Sequence, residues 1–339
     1  MAVVTLDPGL LSADRTALDA VLADVVDGPT LVRFDGAWPR DTSAAPGLLT
    51  ALPALTVGVG AAPAALDAAL DLVVPDAETA DAVGAAFARA PLAAVSAALL
   101  LRHPGESTEA GLVAESTTYS MLQSGPEFQA WRARHDPSPA GDAATPRVRV
   151  DEHERITEIV LVRADRHNAL DVAMRDQLHA ALAEARWTPT PIVVRGEGPS
   201  FCSGGDLDEF ATFPDPVHAH VVRLSRSLAA SFAALAERLV VAVHGACLGA
   251  GIELPAFAAH VVAADDARIG LPEQAIGLVP GSGGTVSITR RAGRRTTLSL
   301  LLRDGTITAA EACDRGLVDH VVPTADLRAR AFEIAESLA

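Results

Sequence analysis

The sequence predicts an α/β protein, and three observations carry that prediction. Short β-branched runs recur at residues 156–162, 192–195, 239–243 and 260–264, stretches with helical spacing separate them, and glycine-rich turns close several junctions. Short apolar runs alternating with helical segments are the order that crossover-connected parallel strands require.

Taken in order, the elements divide the chain at a proline-rich segment. Residues 30–34, 55–59 and 70–74 have strand character, and 77–101 and 109–134 have helical spacing, so residues 1–134 are expected to form a smaller α/β piece followed by two helices. Residues 135–146 hold three prolines and few large apolar side chains, which marks 135–147 as an exposed linker. Residues 148–339 then form the second module. Within it, 171–186 is expected to be a helix with Met174, Leu178, Ala181, Leu182 and Ala185 on one face, and Thr308 with Glu311 forms a capping box that opens a late helix.

Composition narrows the function. At 339 residues the chain suits one large domain or two modest ones. A net charge of −16 makes a nucleic-acid backbone an unsuitable partner, because that affinity comes from clustered cations. All non-histidine basic side chains are arginine. The lack of lysine removes Schiff-base chemistry, pyridoxal phosphate attachment and the P-loop lysine. Cys202, Cys247 and Cys313 are odd in number and lack metal-ligand spacing, so neither a disulfide framework nor a metal site is expected, and Cys202 and Cys247 fit best as small apolar filler. No apolar run has the length of a membrane span, and the first residues lack a basic segment followed by an apolar one; no membrane partner and a cytoplasmic location are therefore expected.

The chemistry concentrates in the second module. Glu253 and Glu273 each stand behind a glycine-rich turn, in Gly245-Ala-Cys-Leu-Gly-Ala-Gly-Ile-Glu253 and Gly270-Leu-Pro-Glu273. Upstream, the small residues of Phe201-Cys-Ser-Gly-Gly-Asp-Leu207 leave backbone N–H groups uncovered, as a developing oxyanion requires. Donors plus carboxylates point to acyl chemistry. Two carboxyl groups in one pocket acquire separated proton affinities, so one can act as base while the other delivers a proton. Asp206 suits a helix N-terminal role, accepting from exposed amides. Gly281-Ser-Gly-Gly-Thr285 lacks the lysine and spacing of a nucleotide cradle.

Together with Arg166-His-Asn-Ala-Leu170, Pro280-Gly-Ser-Gly-Gly-Thr285 and Ala312-Cys-Asp-Arg-Gly-Leu-Val318, these motifs stand in the order found in the crotonase superfamily, the enoyl-CoA hydratase/isomerase group, which residues 148–339 resemble. The resemblance implies a ββα spiral core. It makes the backbone N–H groups of Gly205 and Ala250 the oxyanion hole for a thioester carbonyl, with Ala250 standing where the family usually has glycine. Glu253 and Glu273 match the two carboxylates that activate water for addition to a conjugated double bond. The turns around Arg163, Arg166, His167, Ala169, Leu170, Ser203, Asp206 and Leu207 match the family's coenzyme A contact, where an arginine can meet a phosphate bidentately. No separate cofactor is implied, since coenzyme A is the thioester part of the substrate. The expected reaction is hydration of a 2-enoyl-CoA to a 3-hydroxyacyl-CoA by a homo-oligomer, trimeric or hexameric. Alternatives on the same scaffold are double-bond isomerisation, thioester hydrolysis, cofactor-free oxygenation of an arylacetyl-CoA, or a non-catalytic subunit.

Relatives usually continue well past the Gly-Leu-Val segment with helices that close the acyl pocket and help build trimers, whereas this sequence ends soon after Val318. Residues 91–102 and 111–131 resemble those helices, and 54–60 and 70–74 weakly echo 239–265. Residues 1–134 are therefore expected to be a degenerate second copy of the fold's latter half, with no glutamate behind the Gly58/Gly60 turn. Helix 109–134 is expected to cover the acyl pocket of its own or a neighbouring subunit, and loop 207–220 and helix 217–238 to line it.

Overall fold

Four parallel strands open the chain: β1 (Ala2–Leu6), β2 (Thr30–Phe34), β3 (Leu55–Val59) and β4 (Leu72–Val74), in the order β1-β2-β3-β4. This computed structural model describes residues 2–12, 28–39, 45–137, 145–210 and 215–338, with positions 16, 20, 23 and 212; residues 138–144 of the expected linker and 211, 213 and 214 of the expected pocket loop lie outside them. Alternation along β2 sends Val32 and Phe34 to one face, against α1 (Ala45–Ala51) and α2 (Ala64–Ala69), and Leu31 to the other. Strand β4 starts two residues later than expected. Asp71 turns inward there, accepting from the amide and hydroxyl of Thr56 and pairing with Arg102 at 2.5 Å.

The two helices expected before residue 135 are four. Helices α3 (Ala77–Arg89) and α4 (Pro91–Arg102) meet at 110°, and α5 (Thr108–Gln123) is followed by α6 (Pro126–Arg132). Each break precedes a proline, whose ring and missing N–H push the preceding residue out of helical geometry; Ala90 has φ −151° and Gly125 has ψ 160°. No single described helix is long and apolar enough to cross a membrane.

The second module is built on a six-stranded sheet. Its strands β5 (Val148–Glu152), β6 (Thr157–Leu161), β7 (Ile192–Gly196), β8 (Leu239–Val243), β10 (His260–Ala264) and β13 (His320–Val322) lie in the order β13-β10-β8-β7-β6-β5, all parallel except β5. A small sheet of β9 (Ala246–Leu248), β11 (Arg268–Gly270) and β12 (Ile307–Thr308) stands beside it. Helix α7 (Val172–Ala185) buries Met174, Leu178, Leu182 and Ala185, while Ala181 is half-buried. The single helix expected over 217–238 is split into α8 (Pro216–Ser225) and α9 (Leu228–Leu235), the latter capped by Ser227. The short α10 (Ala250–Glu253), then α11 (Gly284–Ala292), α12 (Arg294–Leu301), α13 (Ala309–Asp314) and α14 (Leu327–Glu336) complete the chain; α13 opens on the expected capping box of Thr308 and Glu311.

One hydrophobic core runs through both modules, from Leu31, Val57 and Phe87 through Leu112 and Phe128 to Val194, Val241 and Leu298. Polar contacts reinforce the junction. The buried Gln274 side chain donates to the carbonyls of Ala86 and Ala90, and Arg294 donates to the carbonyls of Ala68 and Leu70.

Candidate active site

Two neighbouring turns place the amides. Cys202 and Cys247 form a parallel bridge in which Cys202 N–H donates to Ala246 O at 3.2 Å and Leu248 N–H donates to Cys202 O at 3.1 Å. Leu170 brackets the next residues, donating to Gly204 O and accepting from Asp206 N–H. Held this way, Gly205 N–H and Ala250 N–H donate to no described residue. The left-handed backbone that these turns need falls on Gly204 (φ 98°) and Gly249 (φ 50°), and Ala250 is the first helical residue of α10. An alanine at 250 therefore keeps its amide without backbone strain.

The carboxylates converge on Gly249. A Cβ at that position would lie 2.3 Å from Oε1 of Glu273 and 3.8 Å from Oε1 of Glu253, so glycine keeps the space between the two acids open. Glu253 is fully buried, and its Oε2 accepts from Ser282 N–H at 2.7 Å and Gly284 N–H at 2.9 Å. Glu273, on the turn Glu273–Ile276, buries an Oε2 that has no hydrogen-bond partner. Burial raises both groups: Glu253 well above the ordinary carboxyl range, helped by the charges of Glu273 and Glu115, and Glu273 to about 8.

Glu115 was not singled out by the sequence. It comes from α5 in the first module, and its carboxylate accepts from Gly283 N–H (2.7 Å), Thr285 N–H (2.9 Å) and the Thr285 hydroxyl (2.6 Å). Successive amides of one turn, 282 to 285, thus alternate between Glu253 and Glu115. Burial lifts Glu115 to about 7 despite those donors. In the sequence Glu115 looks like any polar residue of a helix, and its partners lie more than a hundred residues away, so no local signal marks it.

Gly205, Ala250, Glu253 and Glu273 line one cavity of about 460 Å³ together with Glu115, Leu170 and Tyr119. Helix α5 covers it within the same chain, with the Tyr119 ring against Gly281. The expected coenzyme A set is placed differently. Leu170 lines the cavity; Arg166, His167, Ala169, Ser203 and Leu207 do not. Arg166 pairs with Asp208 at 2.5 Å and keeps a partly exposed side chain, and Nδ1 of His167 lies 2.9 Å from the Ser200 hydroxyl. Arg163 is buried, pairs with Asp206 at 2.7 Å and Asp171 at 3.4 Å, and donates to Ala169 O, so its guanidinium is engaged within the protein. Asp206, the other half of that pair, caps the turn Leu207–Glu209 by accepting from Asp208 N–H. The thiol of Cys202 is buried and pushed up to about 12, consistent with filler rather than nucleophile.

The sequence profile described as enoyl-CoA hydratase/isomerase matches residues 151–339. A probable enoyl-CoA hydratase of Mycobacterium leprae is 35% identical over 193 residues, covering 56% of this chain and 74% of that protein. A putative enoyl-CoA hydratase/isomerase of Bacillus subtilis is 31% identical over 190 residues, covering 55% and 73%. Among solved structures, an enoyl-CoA hydratase from Thermoplasma volcanium superposes with a TM-score of 0.52 at 31% identity, over 57% of this chain and 77% of that one. A profile covering more than half of the sequence, two amides without a partner among the described residues and two converging glutamates lead to one conclusion: the chain belongs to the enoyl-CoA hydratase/isomerase family, the crotonase superfamily.

Proposed function

We propose that this protein adds water to a 2-enoyl-CoA thioester, giving a 3-hydroxyacyl-CoA. The observation that supports the proposal is that Gly205, Ala250, Glu253 and Glu273 line one cavity, the first two with backbone amides that no described residue accepts from. A thioester oxygen bonded by the two amides is stabilised as negative charge moves onto it, because backbone donors are held in place by the fold before the reaction begins. The carboxyl group of Glu273, which lines this cavity beside Glu253, is suited to activate the attacking water.

The two glutamates titrate as a pair, and the pair holding one proton is the form hydration needs. The carboxylate takes a proton from water as the hydroxyl oxygen bonds to Cβ, and the carboxylic acid delivers its proton to Cα as the enolate collapses. The pair ends with one proton, its members exchanged. Isomerisation and hydrolysis need only one of these acids, so the presence of two favours hydration. The first module's part in this reading is to close the acyl end of the cavity in cis, as a degenerate copy of the fold's latter half.

The test is loss of the conjugated enoyl absorbance without release of free thiol; thiol release in its place would establish a hydrolase. Glu253→Gln and Glu273→Gln are each expected to lower turnover by ~10²–10⁴-fold, the range for loss of general acid–base catalysis. Full activity in both variants would refute the pair.

A further inference from the structure

Arg223, on α8, lines the same cavity as Glu253 and Glu273. Its guanidinium lies over the Tyr119 ring, 4.3 Å from the centroid, and Tyr119 packs against Gly281, next to the amide of Ser282 that holds Glu253. All of its hydrogen-bond partners are neutral. Nη1 donates to the Ser116 hydroxyl (2.9 Å), the Ser116 carbonyl (3.3 Å) and the Ser120 hydroxyl (3.1 Å), and Nη2 donates to Oε1 of Gln123 (3.3 Å).

No carboxylate of a described residue lies within ion-pair distance of Arg223, whereas the buried Arg102 and Arg163 are each paired, with Asp71 and Asp206. The nearby acid Glu115 has both oxygens engaged by Gly283 and Thr285. Arg223 is half-buried and feels the charge of Glu115 without touching it, so neutral oxygens and a distant carboxylate offset only part of the cost of drawing its guanidinium out of water. Nε has no acceptor among the described residues, so the planar fork keeps donor capacity of the geometry that matches a carboxylate.

We propose that Arg223 pairs with a carboxylate at the far end of the acyl chain, which makes the substrates ω-carboxy-2-enoyl-CoA thioesters. The inference rests on the hydratase reading and deepens it by naming the acyl class. The first module takes part in that choice, because Ser116, Tyr119, Ser120 and Gln123 of α5 orient the guanidinium from one helix face.

The experiment compares ω-carboxy-2-enoyl-CoAs of graded length with counterparts in which an isopropyl group replaces the carboxylate. The wild-type kcat/KM is expected to favour the carboxylate member of at least one pair by ~10²-fold, the size of a charge-assisted, bidentate contact. In Arg223→Gln that ratio is expected to collapse toward unity. Equal wild-type rates within every pair would overturn the proposal, whatever the variant's stability. If Arg223 instead meets a phosphate of coenzyme A, the variant loses affinity for both members alike and the ratio stays unchanged, which also overturns it. Should no enoyl-CoA be turned over, the hydratase reading fails separately, and the wild-type Kd for the saturated ω-carboxy and isopropyl-ended acyl-CoAs, measured by calorimetry, still decides the role of Arg223.

Discussion

Glu273 holds its proton to about 8 in the folded protein, against an ordinary value of 4.5, because burial disfavours the charged form. The native state therefore binds more protons than the unfolded chain between those two values, and the group's contribution to stability, complete below 4.5, is lost as pH rises toward 8. Glu115 acts in the same direction up to about 7. Urea midpoints measured across this window are expected to fall with rising pH, and to fall less steeply in Glu273→Gln; identical slopes would mean that Glu273 is not protonated in the fold. At this scale the sequence disclosed residues whose determinants are local. Glu253 and Glu273 sit behind glycine turns that are themselves the device for exposing amides and clearing space. The pairing of Arg163 with Asp171 and Asp206 was not legible, because it is a property of packing. Arg223 and Glu115 carried no signal, since their partners belong to the opposite module.

Helix α5 shows the same limit for an element. Its helical character was legible from spacing. Its boundaries were missed at Ser124, where a glycine and a proline end one helix and begin the next. Also missing from the sequence was its buried face, where Glu115 caps the turn that leads into α11. Glu115→Ala leaves the amides of Gly283 and Thr285 without that acceptor. The expected cost is about 2–6 kcal/mol, one buried unsatisfied donor each, with a parallel loss of turnover as the Glu253 turn relaxes. Glu109→Ala, on the exposed first turn of the same helix, is the control expected to change the urea midpoint little. Equal midpoints for the two variants would remove Glu115 from this role.

At the scale of the whole molecule, the two modules share one apolar core. Proline content placed a boundary at 135–147; Arg147 at its end is buried against Asp171 at 3.1 Å, and a single apolar core spans both sides. Composition can mark a connection; it cannot say whether the surfaces it joins are wet or dry. A shared core predicts one cooperative unfolding transition in calorimetry, whereas two resolved transitions would show that the modules are energetically separate. Residues 148–339 produced alone are expected to be insoluble or to bind a hydrophobic dye, since the surface under α3–α6 would be bare. The alternating capture of amides 282 to 285 by acids from the two modules has a practical corollary for recombination. A hybrid that takes residues 151–339 from another parent separates this turn from its own Glu115, so crossover points inside this protein should be chosen to keep Glu115 and residues 282–285 from the same parent.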